Sequence, residues 1–198
     1  MRIGKKLFSC LSLLLLCIMC LLANGPTAQA AEFLTPDKSA YLYMNTRELD
    51  IHYDNEEAKF ILRDDGVLQL MSQDGKQVYL ALASTEKDPY AASYTIRKFG
   101  ITNSEKAFYE IHATAGAHEQ TCGYWIVGKH NGQWVIYISL ESLVPMGYDL
   151  NGYHQLHSRI NENNSGRLLL GDAIIQFEFF WDDAAQWFGV RCLQKYYL

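Results

Sequence analysis

Residues 60 to 84 read FILRDDGVLQLMSQDGKQVYLALAS. Short runs of alternating apolar and polar residues are separated by Asp64-Asp65-Gly66 and by Gln73-Asp74-Gly75. Alternation with a period of two marks a half-buried strand, and Asp-Gly supplies the positive φ angles that a tight hairpin turn demands. The stretch therefore predicts a three-stranded antiparallel meander. The same signature recurs outward from it. YWIVGK and QWVIYIS flank His130-Asn131-Gly132, and IIQFEFFW and QWFGVRCLQKYY flank Asp182-Asp183-Ala184-Ala185. SYTIRKF and AFYEIHAT read as two further strands joined through residues 100 to 106, and RLLLG reads as another.

Helical signals are sparse. Thr35-Pro36-Asp37 could cap a short helix running to Met44, although YLYMNT also passes as a strand, and LESLVP allows one turn before Pro145. No stripe with a 3.6-residue period runs through a dozen positions. The expected fold is all-β: an antiparallel β-sandwich or β-barrel built from meanders and hairpins. No period of about 40 residues repeats, which argues against a propeller.

Residues 1 to 30 read as a cleavable secretory signal: Arg2, Lys5 and Lys6, then an apolar run from Leu7 to Leu22, then Ala28-Gln29-Ala30. The apolar run is short for a comfortable bilayer span and is followed by Asn24-Gly25-Pro26, so no stable span is expected after cleavage. A lipoprotein reading of Cys17 or Cys20 lacks the small residues of a lipid-attachment box. The expectation is export to the cell envelope or beyond, with residues 31 to 198 forming one β domain. Cleavage would remove three of the 17 basic residues and none of the 22 acidic ones, leaving 14 against 22, a net charge of −8. That sign argues against nucleic acid and anionic membrane surfaces as partners.

Two cysteines would survive cleavage, Cys122 and Cys192. In an exported protein such a lone pair predicts a disulfide. The neighbouring stretch HEQTC, His118 to Cys122, is one letter short of the metalloprotease pattern H-E-x-x-H. That pattern needs a helix to put residues four apart on one face. Here Ala115-Gly116-Ala117 precedes it and a strand follows, so a zinc site using His118 and Cys122, with His112 and Cys192 as further donors, is the weaker reading. No cofactor is implied. Motifs for a serine nucleophile, a phosphate loop, a dinucleotide or a calcium loop are absent.

One segment does not alternate: Gly147 to Gly166, including YDLNGYHQLHSRINENNS. Long loops in compact domains often carry function. Tyr148, Asp149, Asn151, Tyr153, His154, His157 and Arg159 offer aromatic faces and hydrogen-bonding groups suited to a small molecule, a glycan or a peptide. In FEFFW, Phe177, Phe179 and Trp181 share the expected core face. Phe180, Trp187 and Tyr197 lie on the outer phase, either covered or exposed as a patch for a partner. Alternation also sets His112 opposite Tyr109 and Ile111, which predicts a solvent-facing histidine. The function these features favour is non-catalytic binding or a structural role. The alternatives are a metal-assisted hydrolase on His118, Glu119 and Cys122 or on His154 and His157, and an interaction module using an aromatic sheet face.

Overall fold

The computed structural model describes residues 40–42, 47–53, 55–86, 88, 92–102, 104–161 and 167–195, all within the compact unit Ala31–Leu198. The proposed signal, the possible Thr35 cap and Tyr197 lie outside the described residues.

The meander forms where alternation placed it. Strands β3 (Glu56–Leu62), β4 (Leu68–Ser72) and β5 (Val78–Leu82) are joined by turns in which Gly66 and Gly75 take φ of 78° and 72°. Strand β2 (Glu48–Tyr53) completes a four-stranded sheet in the order β2-β3-β4-β5. A second sheet has the order β1-β6-β7-β8-β9, from β1 (Ala40–Leu42), β6 (Ala92–Gly100), β7 (Ala107–Ala115), β8 (Gln120–His130) and β9 (Gln133–Ser139). The third, β10-β11-β12-β13, comprises β10 (His157–Asn161), β11 (Arg167–Gly171), β12 (Ile175–Asp182) and β13 (Trp187–Lys195). Every pairing is antiparallel. The expected turn at LESLVP is a one-turn helix α1 (Leu140–Leu143) followed by a 3-10 turn ending at Gly147.

The five-stranded sheet is buried on both faces. Along β7, Tyr109, Ile111 and Ala113 point into a first core with Phe60, Leu62, Leu68 and Leu70 of the meander sheet. Phe108, together with Tyr124 and Ile126 of β8, points the other way, into a second core with Leu168, Leu170, Phe177, Phe179 and Trp181. Three sheets therefore stack as an open sandwich with a double core, and none of them closes into a barrel. Each large apolar side chain buried this way contributes roughly 2 kcal/mol. Aromatic pairs add to the second core, where Phe108 meets Phe188, Trp181 and Tyr137 at ring separations of 4.9, 5.2 and 5.4 Å. Polar tethers join the layers on the first side: Tyr94 donates to Gly66 O at 2.7 Å and Tyr109 to His52 O at 3.0 Å.

Double burial overturns the reading of His112. It does lie opposite Tyr109 and Ile111, but its face of the sheet is covered: neighbouring Glu110 is 1% exposed and Tyr124 fully buried. The non-alternating segment, expected to be a long loop, also contains a strand. His-Ser-Arg-Ile-Asn shows little apolar alternation because β10 is an edge strand, and its pairing with Leu168–Gly171 fixes it.

Three edge strands each contain one residue with no cross-strand partner. Tyr79 in β5 is skipped between the pairs Leu70↔Leu80 and Met71↔Val78. Tyr137 in β9 is skipped between Ile126↔Ile138 and Val127↔Ile136. Leu193 in β13 is skipped between Gln176↔Gln194 and Phe177↔Cys192. Such bulges bend a strand and re-aim a side chain.

Candidate functional site

The edges β5 and β9 lie beside each other, and between them opens a cleft of about 430 Å³ lined by Glu56, Gln77, Val78, Tyr79, Lys129 and Trp134, among others. Its geometry follows from local structure. The β5 bulge brings Tyr79 to the cleft wall, with its ring 6.4 Å from that of Trp134. Lys129 and Trp134 are direct cross-strand partners just before and after the His130–Gln133 turn. Glu56 opens β3 at the end of the β2–β3 hairpin.

Trp134 is 8% exposed, wedged edge-on against Tyr53 at 5.0 Å and beside Tyr109 at 6.2 Å. Its indole Nε1 is buried and has no hydrogen-bond partner among the described residues. A buried donor left unmatched costs about 1–3 kcal/mol. Lys129 Nζ lies 5.6 Å from the ring centres of both Tyr53 and Trp134 and donates to Glu56 Oε2. The lysine side chain is 11% exposed and its carboxylate partner 58%. The cleft is thus lined by a tryptophan whose buried N–H has no partner among the described residues, by a largely buried lysine paired with a surface carboxylate, and by Gln77 and Gln133. It has the means to bind a polar molecule rich in acceptors.

The residues singled out by sequence fall elsewhere, and two of their groups meet. The segment from Tyr148 to Leu156 is pinned to the start of β8: Thr121 N–H donates to His154 O at 2.8 Å, Leu156 N–H to Thr121 Oγ1 at 2.9 Å, and Gln155 Nε2 to His118 O. Tyr148 and His154 are buried. Tyr148 belongs to the second core, its ring tilted against that of His154 at 4.8 Å. His154 Nδ1 bonds Asp172 Oδ2 at 2.9 Å, and Asp172 Oδ1 accepts the N–H groups of Ile174 and Ile175. These two side chains are anchors of the crossing. Asp149, Asn151, Tyr153, His157 and Arg159 are exposed, and none of them lines the cleft.

Beneath this crossing lies a saturated polar cluster. Arg97 donates from Nε to Glu110 Oε2 and from Nη2 to Ser158 Oγ at 2.6 Å, and Tyr124 donates to Glu110 Oε1 at 2.7 Å. Burial holds the Tyr124 phenol well above its usual range, so it stays a donor. His112 Nε2 meets Thr121 Oγ1 at 3.0 Å, and burial holds its imidazole down to about 4. Because Thr121 Oγ1 already accepts from Leu156, its own hydrogen is available to a neutral Nε2.

The structure supports neither the zinc reading nor the disulfide. His118 and Glu119 sit in the four-residue β7–β8 turn, exposed, with Glu119 at φ 52°. Cys122 is the bulged residue of β8, skipped between Ala113↔Gly123 and Thr114↔Thr121, and joins the first core. His112 contacts the second core, on the opposite face of the same sheet. Among the described residues no three His, Cys, Asp or Glu side chains are placed to share a metal. Cys192 is exposed on β13, in another sheet from Cys122, and the two form no disulfide. The outer aromatic face is partly covered as well. Phe180 lies across Gly189, where an added Cβ would come 2.2 Å from the ring, and Arg191 sits 4.7 Å above it. Trp187 is 37% exposed and packs on Tyr137 at 4.5 Å.

No helix among the described residues is long and apolar enough to cross a membrane. The chain matches no family model and no curated protein sequence.

Proposed function

We propose that the protein is an exported binding protein of the cell envelope or extracellular space, with no catalytic chemistry of its own, and that it holds a small polar ligand in the cleft between β5 and β9. The observation that carries this reading is Trp134, a cleft-lining residue whose buried indole Nε1 has no acceptor among the described residues. Groups left in that state are costly, and a ligand acceptor would satisfy it. The cleft volume lies within the range of small-molecule sites, and the bulge that places Tyr79 is the kind of local irregularity found beside such sites. Export rests on the basic, apolar and small-residue succession of residues 1 to 30.

The test is calorimetric titration of the exported protein and of Trp134→Phe against a panel of small glycans and short peptides. Trp134→Phe keeps a large apolar ring and removes the N–H. A ligand bound by the native chain and at least tenfold more weakly by the variant supports the reading. Equal affinity would move the site elsewhere, first to the exposed residues between Asp149 and Arg159. The mass of the exported chain checks the other half: it should begin at Ala31.

A further inference from the structure

Resting on the reading of the cleft as the binding site, we infer that its ligand is recognised through a carboxylate, and that Glu56 stands in for that carboxylate when the cleft is empty. Lys129 is nearly buried, yet its anionic partner is more than half exposed and sits at a hairpin end. A buried ammonium needs a counter-charge, and a surface glutamate can supply one and be displaced at little cost, because exposed-ended ion pairs contribute little. Lys129 is also fixed in place, its ammonium held over the rings of Tyr53 and Trp134. The second donor, Nε1 of its direct cross-strand partner Trp134, has no acceptor among the described residues.

An incoming carboxylate carries two acceptor oxygens, enough for one ammonium and one indole N–H at once. A neutral ligand could satisfy the indole but would leave Lys129 holding Glu56. Displacement swaps one anion for another at the same ammonium, so the charge of the site is unchanged. The freed Glu56 returns to water. Two sources offer such a group at this size: an acidic sugar, and the C-terminus of a peptide.

The experiment is a proton–nitrogen NMR titration of the exported chain, reading its four indole N–H signals, with that of Trp134 assigned by its loss in Trp134→Phe. Two matched pairs serve as probes: glucuronate against glucose, and N-acetylglycine against N-acetylglycinamide. The expected result is a downfield move of the Trp134 signal with one or both acids and with neither neutral partner. The acid that binds more tightly identifies the source. Glu56→Gln should tighten the response about fivefold by removing the competitor, and Lys129→Met, which keeps the apolar stem, should weaken it at least tenfold. If acid and neutral partner move the signal alike, or if Glu56→Gln weakens binding, the carboxylate inference fails while the cleft remains the site. If no probe moves it in either the native chain or Glu56→Gln, both readings fall.

Discussion

Acidification should destabilise this protein through one side chain, His112. Its ring is held between the central sheet and the second layer, bonded to Thr121 and edge-on to Tyr124 at 5.9 Å. Burial is the main reason the folded protein resists protonating it, with His157 and Arg97 adding repulsion and Glu110 partly opposing them, and the net effect lowers its affinity from 6.5 to about 4. The unfolded chain, in which His112 titrates near 6.5, therefore binds more protons between those two values. Stability is full above about pH 6.5, falls as pH drops through the window, and levels off near pH 4. Each decade of proton affinity corresponds to about 1.4 kcal/mol, so two and a half decades set a ceiling of about 3.5 kcal/mol, of which about 3 kcal/mol is lost by pH 4. The measurement is urea unfolding from pH 7.5 to 4, on the native chain and on His112→Asn. The native chain should lose up to about 3 kcal/mol more than the variant over that range. Parallel pH dependence in the two proteins, or an NMR titration of His112 near 6.5 in the folded state, would refute the argument.

Further outcomes follow from the same geometry. Tyr148→Ala empties part of the second core and should cost about 3 kcal/mol in denaturant unfolding, whereas Tyr153→Ala, at a residue 55% exposed, should change stability by less than about 0.5 kcal/mol. Equal costs would mean that the crossing is not anchored through Tyr148. Gly171→Ala places a methyl 2.6 Å from Ile175 O and 2.8 Å from Gln176 Cα, backbone atoms that yield little, and should cost about 1–3 kcal/mol. A variant as stable as the native chain would show that the β11–β12 connection can shift. Burial pushes the Cys122 thiol up to about 11, while Cys192 is exposed. Alkylation of the natively folded chain comprising residues 31 to 198 at neutral pH should thus add one label, and a second only after denaturation. Two labels on the native protein, or none, would contradict this placement.

The hairpins were legible because their turns carry their own chemistry. Gly66, Gly75, Asn131 and Gly132 all take the positive φ that Asp-Gly and Asn-Gly advertise. The face assignments in FEFFW held for the same local reason, since Phe177, Phe179 and Trp181 are all buried. The stacking of layers was less legible, because alternation reveals a buried face only when the other face is wet. In β8 the run from Thr121 to Gly128 is buried without a break. A near-continuous apolar strand such as TCGYWIVG is the signal that a sheet is covered twice, and it would have placed His112 and Glu110 correctly. The cleft had no sequence signal at all. Glu56, Tyr79 and Trp134 belong to two sheets, and no spacing announces which edges will meet or that Tyr79 and Tyr137 interrupt their ladders. Conversely, the loop residues that looked chemical include Tyr148, packed in the second core, and His154, whose Nδ1 is occupied by Asp172 in holding the crossing down.

Those interruptions also bear on how copies of the chain meet one another. VYLAL in β5 and QWVIYIS in β9 contain no charged residue and no proline, yet both are sheet margins with an apolar side chain in solvent, Val78 at 47% and Ile136 at 37%. Sequences of that kind invite a neighbouring molecule to extend the sheet, the first step toward a fibril. A second chain laid along β5 or β9 would fall out of step after a few rungs, at Tyr79 or at Tyr137. Crowded molecules are thereby kept from zipping together, and the tyrosine that breaks the first of these margins is the one that walls the cleft.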